Sequence, residues 1–359
     1  MKQLLLYCRA GFEKDAAAEI QDKAAQHNVF GYTKLTNDSG FVVFESYDAE
    51  ALHKFFKKQP FHELVFIRQW ILLLGDWLEL PAGDRVNPVV CQVLEHEIEG
   101  LGEVRVEYPD TNEGKELSTL ARKLTVPLRQ TLRQASVMLP KENLKAPVLH
   151  VFLRSGKEAL VGISYPDNNS SLENGIRRLK FPAEAPSRST LKLEEAFLEF
   201  IPKHQWDTRL APGMNAVDLG ACPGGWTYQL VKRSMFVTSI DNGAMADSLM
   251  ETGQVRHYMV DGFKYRPERK NVYWLVCDMI EKPQRVGPLM CDWLIAGDCQ
   301  EIIFNLKLPM KKRYETVQEV LSDMRERFAS ANLTVEFQAK HLYHDREEVT
   351  VHLRKTPRA

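Results

Sequence analysis

The sequence predicts an α/β protein in three parts: a ferredoxin-like domain at residues 1–80, a second α+β domain at 81–168, and a Rossmann-like domain at 187–359 with a doubly wound sheet of seven strands. The first eighty residues follow the order βαββαβ, which is typical of ferredoxin-like folds. In the last part, apolar segments of strand length alternate with helical patterns and end in a hairpin, as in open sheets covered by helices. A glycine-rich turn follows the first buried strand of that part, where such sheets bind ligands.

The composition is that of a soluble globular protein with two or three domains. Of 359 residues, 44% are hydrophobic and 26% are charged, and the formal net charge is −1. No apolar run is long enough to cross a membrane, and the N-terminus lacks a signal-peptide pattern. The six cysteines include no Cys-x-x-Cys pair, which argues against disulfides and zinc and favours a reducing compartment. We therefore expect a cytoplasmic monomer without a metal ion, membrane contact or DNA contact, in which any RNA site is a local basic patch.

Residues 1–80 contain the six elements of the ferredoxin-like pattern. Alternating and apolar runs predict the strands, and Ala-rich or amphipathic stretches predict the helices. The turn Asn37-Asp-Ser-Gly40 lies between two strands and is typical of a hairpin. The predicted elements are a strand at 4–7, a helix at 13–26, hairpin strands at 32–35 and 40–44, a helix at 49–58 and a long strand at 64–74.

Residues 81–168 form a second α/β pattern that contains a basic helix. The predicted elements are a helix at 89–97, a strand at 103–108, a helix through 115–133, and strands at 148–153 and 159–165. The basic side chains of the second helix are Lys115, Arg122, Lys123, Arg129 and Arg133. This arrangement resembles a THUMP domain, which implies RNA binding, although a solvated helix face explains the basic residues equally well.

Residues 169–186 are predicted to be a linker, because the stretch is rich in Asn, Ser, Pro and Gly. The linker carries Arg177, Arg178 and Lys180. These side chains either contact phosphate or keep the loop soluble, and the sequence favours neither interpretation.

Four aspartates follow predicted strands in residues 187–359. The strands are predicted at 216–219, 236–240, 257–260, 274–277 and 302–307, followed by a hairpin of 333–341 and 348–354. The aspartates at or after strand ends are Asp218, Asp241, Asp261 and Asp278. A single aspartate there is often only a turn former. Four in consecutive strands favour a ligand site, because ligands of open α/β sheets bind outside the carboxyl ends of the strands.

A tight turn with three glycines follows the strand at 216–219. Bare backbone at Gly220, Gly224 and Gly225 lets a ligand approach closely, and the N-terminus of the next helix attracts an anion. The spacing Gly-x-x-x-Gly-Gly differs from the Gly-x-Gly-x-x-Gly of dinucleotide enzymes. The turn also lacks the Gly-Lys-Ser/Thr of a nucleotide-binding P-loop.

The segment Asp218-Leu-Gly-Ala-Cys-Pro-Gly-Gly-Trp226 resembles motif I of S-adenosylmethionine-dependent methyltransferases, in particular the FtsJ-like RNA 2′-O-ribose methyltransferases. The resemblance implies a class I methyltransferase domain that binds this cofactor at the turn. The implied cofactor-binding residues are Ser189, Asp218, Gly220, Cys222, Pro223, Gly224, Gly225, Asp241, Asp261 and Asp278. The turn would hold the methionine end, Asp241 the ribose diol and Asp261 the adenine side, with Asp278 near the sulfonium. Ser189 is explained equally well as a helix N-cap.

FtsJ-like 2′-O-methyltransferases carry a Lys-Asp-Lys-Glu tetrad, and this sequence has a candidate for each position: Lys192, Asp278, Lys307 and Glu348. Glu347 competes with Glu348, because neighbours in a strand face opposite sides. A ribose hydroxyl is a poor nucleophile until it loses its proton, and we expect Lys307 to be the general base. A lysine with an ordinary pKa of about 10.4 is charged at neutral pH. Burial and a second lysine favour the neutral amine, whereas an aspartate opposes it. Lys192 and Asp278 would orient the hydroxyl and Lys307, and Glu348 would anchor a lysine.

Several other residues suggest chemistry or RNA contact less strongly. Cys222 could be a nucleophile, as in cytosine-C5 methyltransferases, but we expect only its backbone to act, because it lies in the cofactor turn. The segment Asp278-Met-Ile-Glu281 differs from the Asn/Asp-Pro-Pro-Tyr motif of exocyclic-amine methyltransferases. Candidates for phosphate contact are Lys311, Lys312, Arg313, Arg266, Arg269 and Lys270. Candidates for base stacking are Tyr314, Tyr343 and Trp226, although aromatic side chains more often pack inside.

Three further segments, 186–196, 305–314 and 343–351, extend the resemblance. They are similar to bacterial members of the family that methylate one cytidine ribose in 23S rRNA. The resemblance implies 23S rRNA or a large-subunit assembly precursor as the partner. Two alternatives remain: a 2′-O-methyltransferase of another RNA such as tRNA, and a cofactor-binding RNA chaperone without turnover.

Overall fold

The computed structural model describes residues 1–356, and the chain divides into two compact units. The first unit is Met1–Ile176, and the second begins at Arg177. Each unit is built around its own β-sheet. None of the helices in residues 1–356 is long and apolar enough to cross a membrane.

The first unit begins with the ferredoxin-like order of elements. The elements of this unit are β1 (Gln3–Tyr7), α1 (Glu13–Gln26), β2 (Gly31–Leu35), β3 (Phe41–Ser46), α2 (Ala49–Lys58), β4 (Gln69–Leu73), β5 (Leu78–Glu79), α3 (Val86–Glu95), β6 (Glu103–Glu107), α4 (Asn112–Lys115), α5 (Ser118–Gln134), β7 (Val148–Leu153) and β8 (Glu158–Ser164). The order β1-α1-β2-β3-α2-β4 confirms the predicted ferredoxin-like fold. The two-residue strand β5 was not predicted.

Strand β4 starts later than the sequence predicts. The apolar run from residue 64 predicts a strand, but the backbone enters the sheet only at Gln69. The reason is the buried carboxylate of Glu19 in α1, which accepts hydrogen bonds from the backbone N–H groups of Phe66 at 2.8 Å and Ile67 at 3.2 Å. Those amides are satisfied by a side chain and do not enter the sheet ladder.

One continuous sheet runs through the first unit, in the order β2-β3-β1-β4-β8-β7-β6. The central antiparallel pairing of β4 with β8 joins Leu72 to Ile163 and Leu73 to Gly162. The ferredoxin-like strands and the following α/β strands therefore share one sheet. The identification of the second part with a THUMP domain stays a prediction.

The second unit alternates strands and helices as predicted. Its elements are α6 (Thr190–Phe200), α7 (Trp206–Arg209), β9 (Asn215–Leu219), α8 (Gly225–Val231), β10 (Phe236–Ile240), α9 (Asp247–Met250), β11 (Val255–Tyr258), β12 (Val272–Cys277), α10 (Pro283–Ala296), β13 (Glu301–Lys307), α11 (Arg313–Ser330), β14 (Val335–Lys340) and β15 (Glu348–Lys355). The sheet order β11-β10-β9-β12-β13-β15-β14 is parallel except for β15, which is antiparallel to both neighbours. This confirms the predicted Rossmann-like sheet of seven strands.

Helices pack against both faces of the second sheet, but on one face they cover only part of it. The apolar sides of α6 and α8 pack on one face against Ala216, Val237 and Trp274. Alternate strand residues such as Val217 and Phe304 point to the other face, and α10 packs against β13 there and against α11. The carboxyl ends of β9, β10, β12 and β13 lie at the same edge of the sheet. Open α/β sheets bind their ligands at this edge.

The third parallel strand, β11, ends earlier than predicted. The apolar residues up to Val260 predict a strand, but the chain turns after Tyr258, and the Val260 N–H donates to the Tyr258 carbonyl at 3.0 Å. Asp261 therefore lies in a loop three positions beyond the strand. No helix occurs between β11 and β12.

Candidate active site

The turn between β9 and α8 depends on its glycines. Gly220 has φ +75° and Gly224 has φ +119°, backbone conformations that favour glycine. A Cβ atom on Gly225 would lie 2.0 Å from Ser189 Oγ, so any side chain there would clash with the segment that leads into α6. The glycine pattern therefore brings two helix N-termini together beside the carboxyl end of β9.

A cavity of about 610 Å³ opens at this edge of the sheet. Among its walls are many of the side chains named from the sequence: Ser189, Lys192, Gly220, Cys222, Pro223, Asp241, Asp261, Asp278 and Lys307. Gly224, Gly225, Asp218 and Glu348 are not part of the wall. The cavity lies within the volume range of small-molecule sites in proteins.

Asp218 lies beneath the turn, although the sequence places it among the cofactor contacts. Its side chain is fully buried, and Oδ2 accepts a hydrogen bond from Thr227 Oγ1 at 2.7 Å. Burial, opposed by the bonds from Thr227, raises the pKa of Asp218 to about 7. The geometry gives this carboxyl a different task from ligand contact, namely joining the end of β9 to the first turn of α8.

Asp241, which follows the next strand β10, holds two backbone segments of the cavity wall in place. Its Oδ2 accepts from the Cys222 N–H at 3.0 Å, and its Oδ1 accepts from the Gly243 N–H at 2.8 Å. Each carboxylate oxygen can accept a further hydrogen bond. Asp261 is exposed and accepts from the Phe263 N–H at 2.9 Å, as a turn-forming aspartate does.

Cys222 has the environment of an unreactive thiol. Its Sγ donates to the Gly243 carbonyl at 3.1 Å, and burial, assisted by the charges of Asp241 and Asp218, raises its pKa to about 11. Because the thiolate is the nucleophilic form, this environment disfavours covalent catalysis. Ser189 precedes α6 but makes no side-chain cap; its Oγ lies 3.1 Å from Ser187 Oγ.

Two lysines and two carboxylates form an alternating ring at the other end of the cavity. Lys307 Nζ lies 2.5 Å from Asp278 Oδ1 and 3.9 Å from Glu348 Oε2. Lys192 Nζ lies 3.5 Å from Asp278 Oδ2 and forms an ion pair with Glu348 Oε1. The four side chains come from β13, the end of β12, the start of β15 and the first turn of α6. The fold thus gathers into one cluster residues that are far apart in the sequence.

Glu348 is the first residue of β15 and Glu347 comes directly before the strand, and their side chains lie in different environments. Glu348 is buried at 7% exposure and contacts both lysines. The Glu347 side chain is 60% exposed and accepts from the Arg313 guanidinium at 2.8 Å.

Lys192 is held as a cation. Burial lowers its pKa, but the charges of Asp278 and Glu348 outweigh burial, so the net shift of its pKa is upward. Lys192 therefore carries a fixed positive charge beside the other lysine of the ring.

A buried hydrogen-bond chain behind Asp278 was missed from the sequence. Asn305 Nδ2 donates to Asp278 Oδ1 at 2.9 Å, and Thr350 Oγ1 lies 2.8 Å from Asn305 Oδ1. Thr350 Oγ1 is also 2.8 Å from Asp345 Oδ2. Burial, with the charges of Glu348 and Glu195, raises the pKa of Asp345 well above its usual range, so this carboxyl can donate to Thr350. A polar residue inside an apolar strand, as Asn305 is in β13, was the available signal.

Glu195 is a second residue that was missed. It lies one turn after Lys192 on α6, is buried, and accepts from the backbone N–H groups of Tyr343 at 2.9 Å and His344 at 2.8 Å. These bonds fix the segment that leads into β15 and thereby support Glu348. The signal was an acidic residue close to the apolar stripe of the helix.

The predicted RNA contacts divide by their accessibility. Lys311 and Lys312 are exposed, whereas Tyr314 is buried and cannot stack on a base. Trp226 is also buried, but it lines the cavity. Tyr343 is half-buried, with the Arg178 guanidinium 5.6 Å from its ring centre. Arg266 and Lys270 do not line the cavity and lie 3.7 Å and 3.9 Å from Asp298.

The cavity fits the cofactor that the turn implies. Glycine backbone at the turn permits close approach, Asp241 offers carboxylate oxygens from the second strand, and Asp278 projects a carboxylate beside Lys307. A ribose diol needs such acceptors, and a sulfonium is stabilised by nearby negative charge.

Comparisons with known proteins agree with this geometry. The RlmM ferredoxin-like domain family matches residues 1–71, the N-terminal family of Ribosomal RNA large subunit methyltransferase M matches 84–165, and the FtsJ-like methyltransferase family matches 185–355. The chain is 58% identical over 356 residues to Ribosomal RNA large subunit methyltransferase M of Pectobacterium atrosepticum, covering 99% of this chain and 97% of that protein. It is 56% identical over 354 residues to the protein of the same name from Vibrio atlanticus, covering 98% of each.

Among solved structures, the chain is similar to Aeropyrum pernix fibrillarin in complex with natively bound S-adenosyl-L-methionine. The identity is 13%, the TM-score 0.33, and the match covers 56% of this chain and 81% of fibrillarin. The family assignment does not depend on it, since the curated relatives match over nearly their whole length. With S-adenosylmethionine as its cofactor, the chain belongs to the Ribosomal RNA large subunit methyltransferase M family, and its C-terminal domain is an FtsJ-like methyltransferase.

Proposed function

We propose that the protein methylates the 2′-hydroxyl of a cytidine ribose in 23S rRNA, with Lys307 as the general base. The observation that carries the proposal is the ring in which Lys307 Nζ lies 2.5 Å from Asp278 Oδ1 at the wall of the cofactor cavity. An amine fixed at that point can take a proton from a hydroxyl that enters the cavity. The names of the relatives support rRNA as the substrate.

The cofactor is assigned to the glycine-turn end of the cavity. Ser189, the backbone of Cys222 and Pro223, Asp241 and Asp261 would hold it, and Asp278 would lie nearest the reacting end. S-adenosylmethionine, when bound, supplies a methyl group on a positively charged sulfur. The ring of lysines and carboxylates marks the side from which the ribose hydroxyl enters.

The two lysines of the ring are assigned different roles. Lys192 stays protonated between Glu348 and Asp278, and it can stabilise negative charge that develops on the ribose oxygen. Lys307 takes the proton of the ribose hydroxyl, and Asp278 and Glu348 hold its side chain in place. Proton removal by a positioned base contributes about 10²–10⁴-fold to such reactions.

Asn305 and Thr350 are assigned a positioning role. Asn305 donates to the same oxygen of Asp278 that Lys307 contacts, so it fixes the carboxylate between the two lysines. Thr350 fixes the Asn305 amide in turn, because its hydroxyl can donate to Asn305 Oδ1 while a protonated Asp345 donates to Thr350.

The first unit is proposed to bind the rRNA or its assembly precursor. Helices α4 and α5 carry five basic side chains: Lys115, Arg122, Lys123, Arg129 and Arg133. Clustered cations of this kind contact phosphates, and such binding weakens as salt rises.

Methyl incorporation tests the proposal directly. Purified protein, radiolabelled S-adenosylmethionine and a 23S rRNA transcript should yield labelled RNA, and nucleoside mass spectrometry should identify 2′-O-methylcytidine. The Lys307→Ala variant is the matched negative control. Base-methylated nucleosides would overturn the proposal. Label in a tRNA transcript but not in the rRNA transcript would favour a tRNA 2′-O-methyltransferase. Binding of cofactor and RNA without any labelled product would favour an RNA chaperone.

A further inference from the structure

One face of the second sheet lacks a covering helix over strands β9, β10 and β11. Consecutive parallel strands are usually joined through a helix, but the connection from β11 to β12 contains none. Helix α9 contacts α8 on the opposite face. The uncovered face forms one wall of a cavity of about 770 Å³, and the loop at residues 265–271 forms the other.

Basic and aromatic side chains line this open face. In the parallel register Thr238 pairs with Arg256, so Phe236, Arg256 and Tyr258 project from the same side of the sheet. Phe236 is 53% exposed and Tyr258 is 47% exposed. The loop adds Tyr265 and Arg269 from across the cavity.

The charge on the lining is predominantly positive. The lining contains the three arginines Arg256, Arg266 and Arg269, and the only carboxylate among them is that of Glu268. Arg256 and Arg269 are exposed and make no salt bridge within residues 1–356. An anionic ligand with flat rings fits a surface that combines unpaired guanidinium groups with accessible aromatic rings.

We propose that this open face binds a single-stranded segment of the RNA substrate, with phosphates at Arg256 and Arg269 and a base stacked on Tyr258. The inference rests on the proposed RNA substrate. The face adjoins the cofactor cavity, since Val260 lines both. A strand whose target ribose enters the active site could therefore continue along the face.

Binding of a fluorescent uridine oligomer of roughly 12 nucleotides, a length within the range of single-strand binding sites, tests the inference. Charge reversal in Arg256→Glu with Arg269→Glu should weaken binding at least about tenfold and reduce the slope of log affinity against log salt by about 1.4. The matched control is Lys203→Glu with Lys232→Glu, two exposed lysines away from the face, which should retain most of the affinity. Tyr258→Ala should lower affinity about fivefold or more without changing the salt slope.

Photocrosslinking gives a second readout that other RNA sites do not obscure. A 4-thiouridine oligomer should crosslink to the peptide that contains Tyr258. Equal affinity in the Arg256/Arg269 variant and the lysine control would overturn the inference, and so would crosslinks that avoid this peptide. Either result would favour a protein partner for the face. Cofactor affinity of each variant shows that it is folded. If the protein binds RNA at this face but never methylates it, the proposed function is contradicted, whereas the inference of an RNA-binding face is not.

Discussion

Lys307 and Glu348 are cross-strand partners at the last position of the β13–β15 ladder. This register brings Glu348 Oε2 to 3.9 Å from Lys307 Nζ, while Glu348 Oε1 pairs with Lys192. A strand from the antiparallel hairpin thus delivers a carboxylate to the carboxyl ends of the parallel strands. The two lysines are kept apart by acids, which holds a fixed cation beside the proposed base.

Replacing Lys307 by alanine should lower kcat at least about 100-fold, because Lys192, the other lysine of the cavity wall, is held as a cation and cannot replace it as a base. Lys307→Arg should be equally inactive, since a guanidinium does not give up its proton. Turnover at saturating RNA and cofactor measures the effect, with the exposed Lys232→Ala as the control. Near-normal turnover of a folded Lys307→Ala protein would remove Lys307 from the mechanism.

Glu348→Gln and Glu347→Gln form a matched pair at neighbouring positions. Loss of the Glu348 charge leaves Lys192 and Lys307 with one carboxylate between them, so we expect kcat to fall about tenfold or more. Glu347 is exposed and contacts only Arg313 in the described contacts, so its variant should stay within about twofold. The reverse order of the two effects would show that Glu347 is the functional acid.

Thr350→Val should reduce turnover about fivefold, the effect of one hydrogen bond, because valine keeps the shape but loses the hydroxyl that holds Asn305. Thr350→Ser keeps the hydroxyl and should retain most of the turnover. Cofactor affinity should change little in either variant, since neither side chain lines the cavity. Equal losses in both variants would point to packing and not to the hydrogen bond.

Cys222→Ser should leave turnover within about threefold of the original. The raised pKa of the thiol, about 11, keeps it protonated at neutral pH, and its backbone N–H remains available to Asp241. A trapped covalent adduct between RNA and Cys222, or abolished turnover with cofactor binding retained, would contradict this expectation.

Asp218 should make stability depend on pH. An acid whose pKa rises from 3.8 to about 7 on folding binds its proton more tightly in the folded chain. Its contribution to stability is therefore present at low pH and is lost as pH rises towards 7. Between pH 5 and 7.5 the original protein should lose roughly 2–3 kcal/mol relative to Asp218→Asn. Urea unfolding at both pH values measures the difference, and parallel pH dependence of the two proteins would contradict the assignment.

Local patterns were sufficient to predict the turn and most strands, whereas the side chains of the ring were named from the resemblance to the tetrad of FtsJ-like methyltransferases. Glycine spacing revealed the turn at Gly220, whereas the choice between Glu348 and Glu347 needed their burial and contacts in the folded chain. Such patterns involve residues close together in the chain, so they can be recognised in a single sequence. The chemical roles of the ring residues stay predictions.

Contacts between distant segments could not be predicted in the same way. The chain from Asn305 to Thr350 requires the cross-strand register of β13 and β15. The late start of β4 depends on a carboxylate of α1, and the early end of β11 depends on a backbone turn. Burial of Asp218 beneath the glycine turn is likewise a tertiary effect that the motif alone does not reveal.

The pairing of β4 with β8 has a consequence for the evolution and handling of the N-terminal half. Separate sequence families match 1–71 and 84–165, yet a break between them would leave the apolar strand β4 with an unsatisfied edge. Such edges recruit strands from other molecules and cause aggregation. Recombination or truncation at that junction should therefore produce insoluble fragments, and the two segments are expected to be inherited as a single piece.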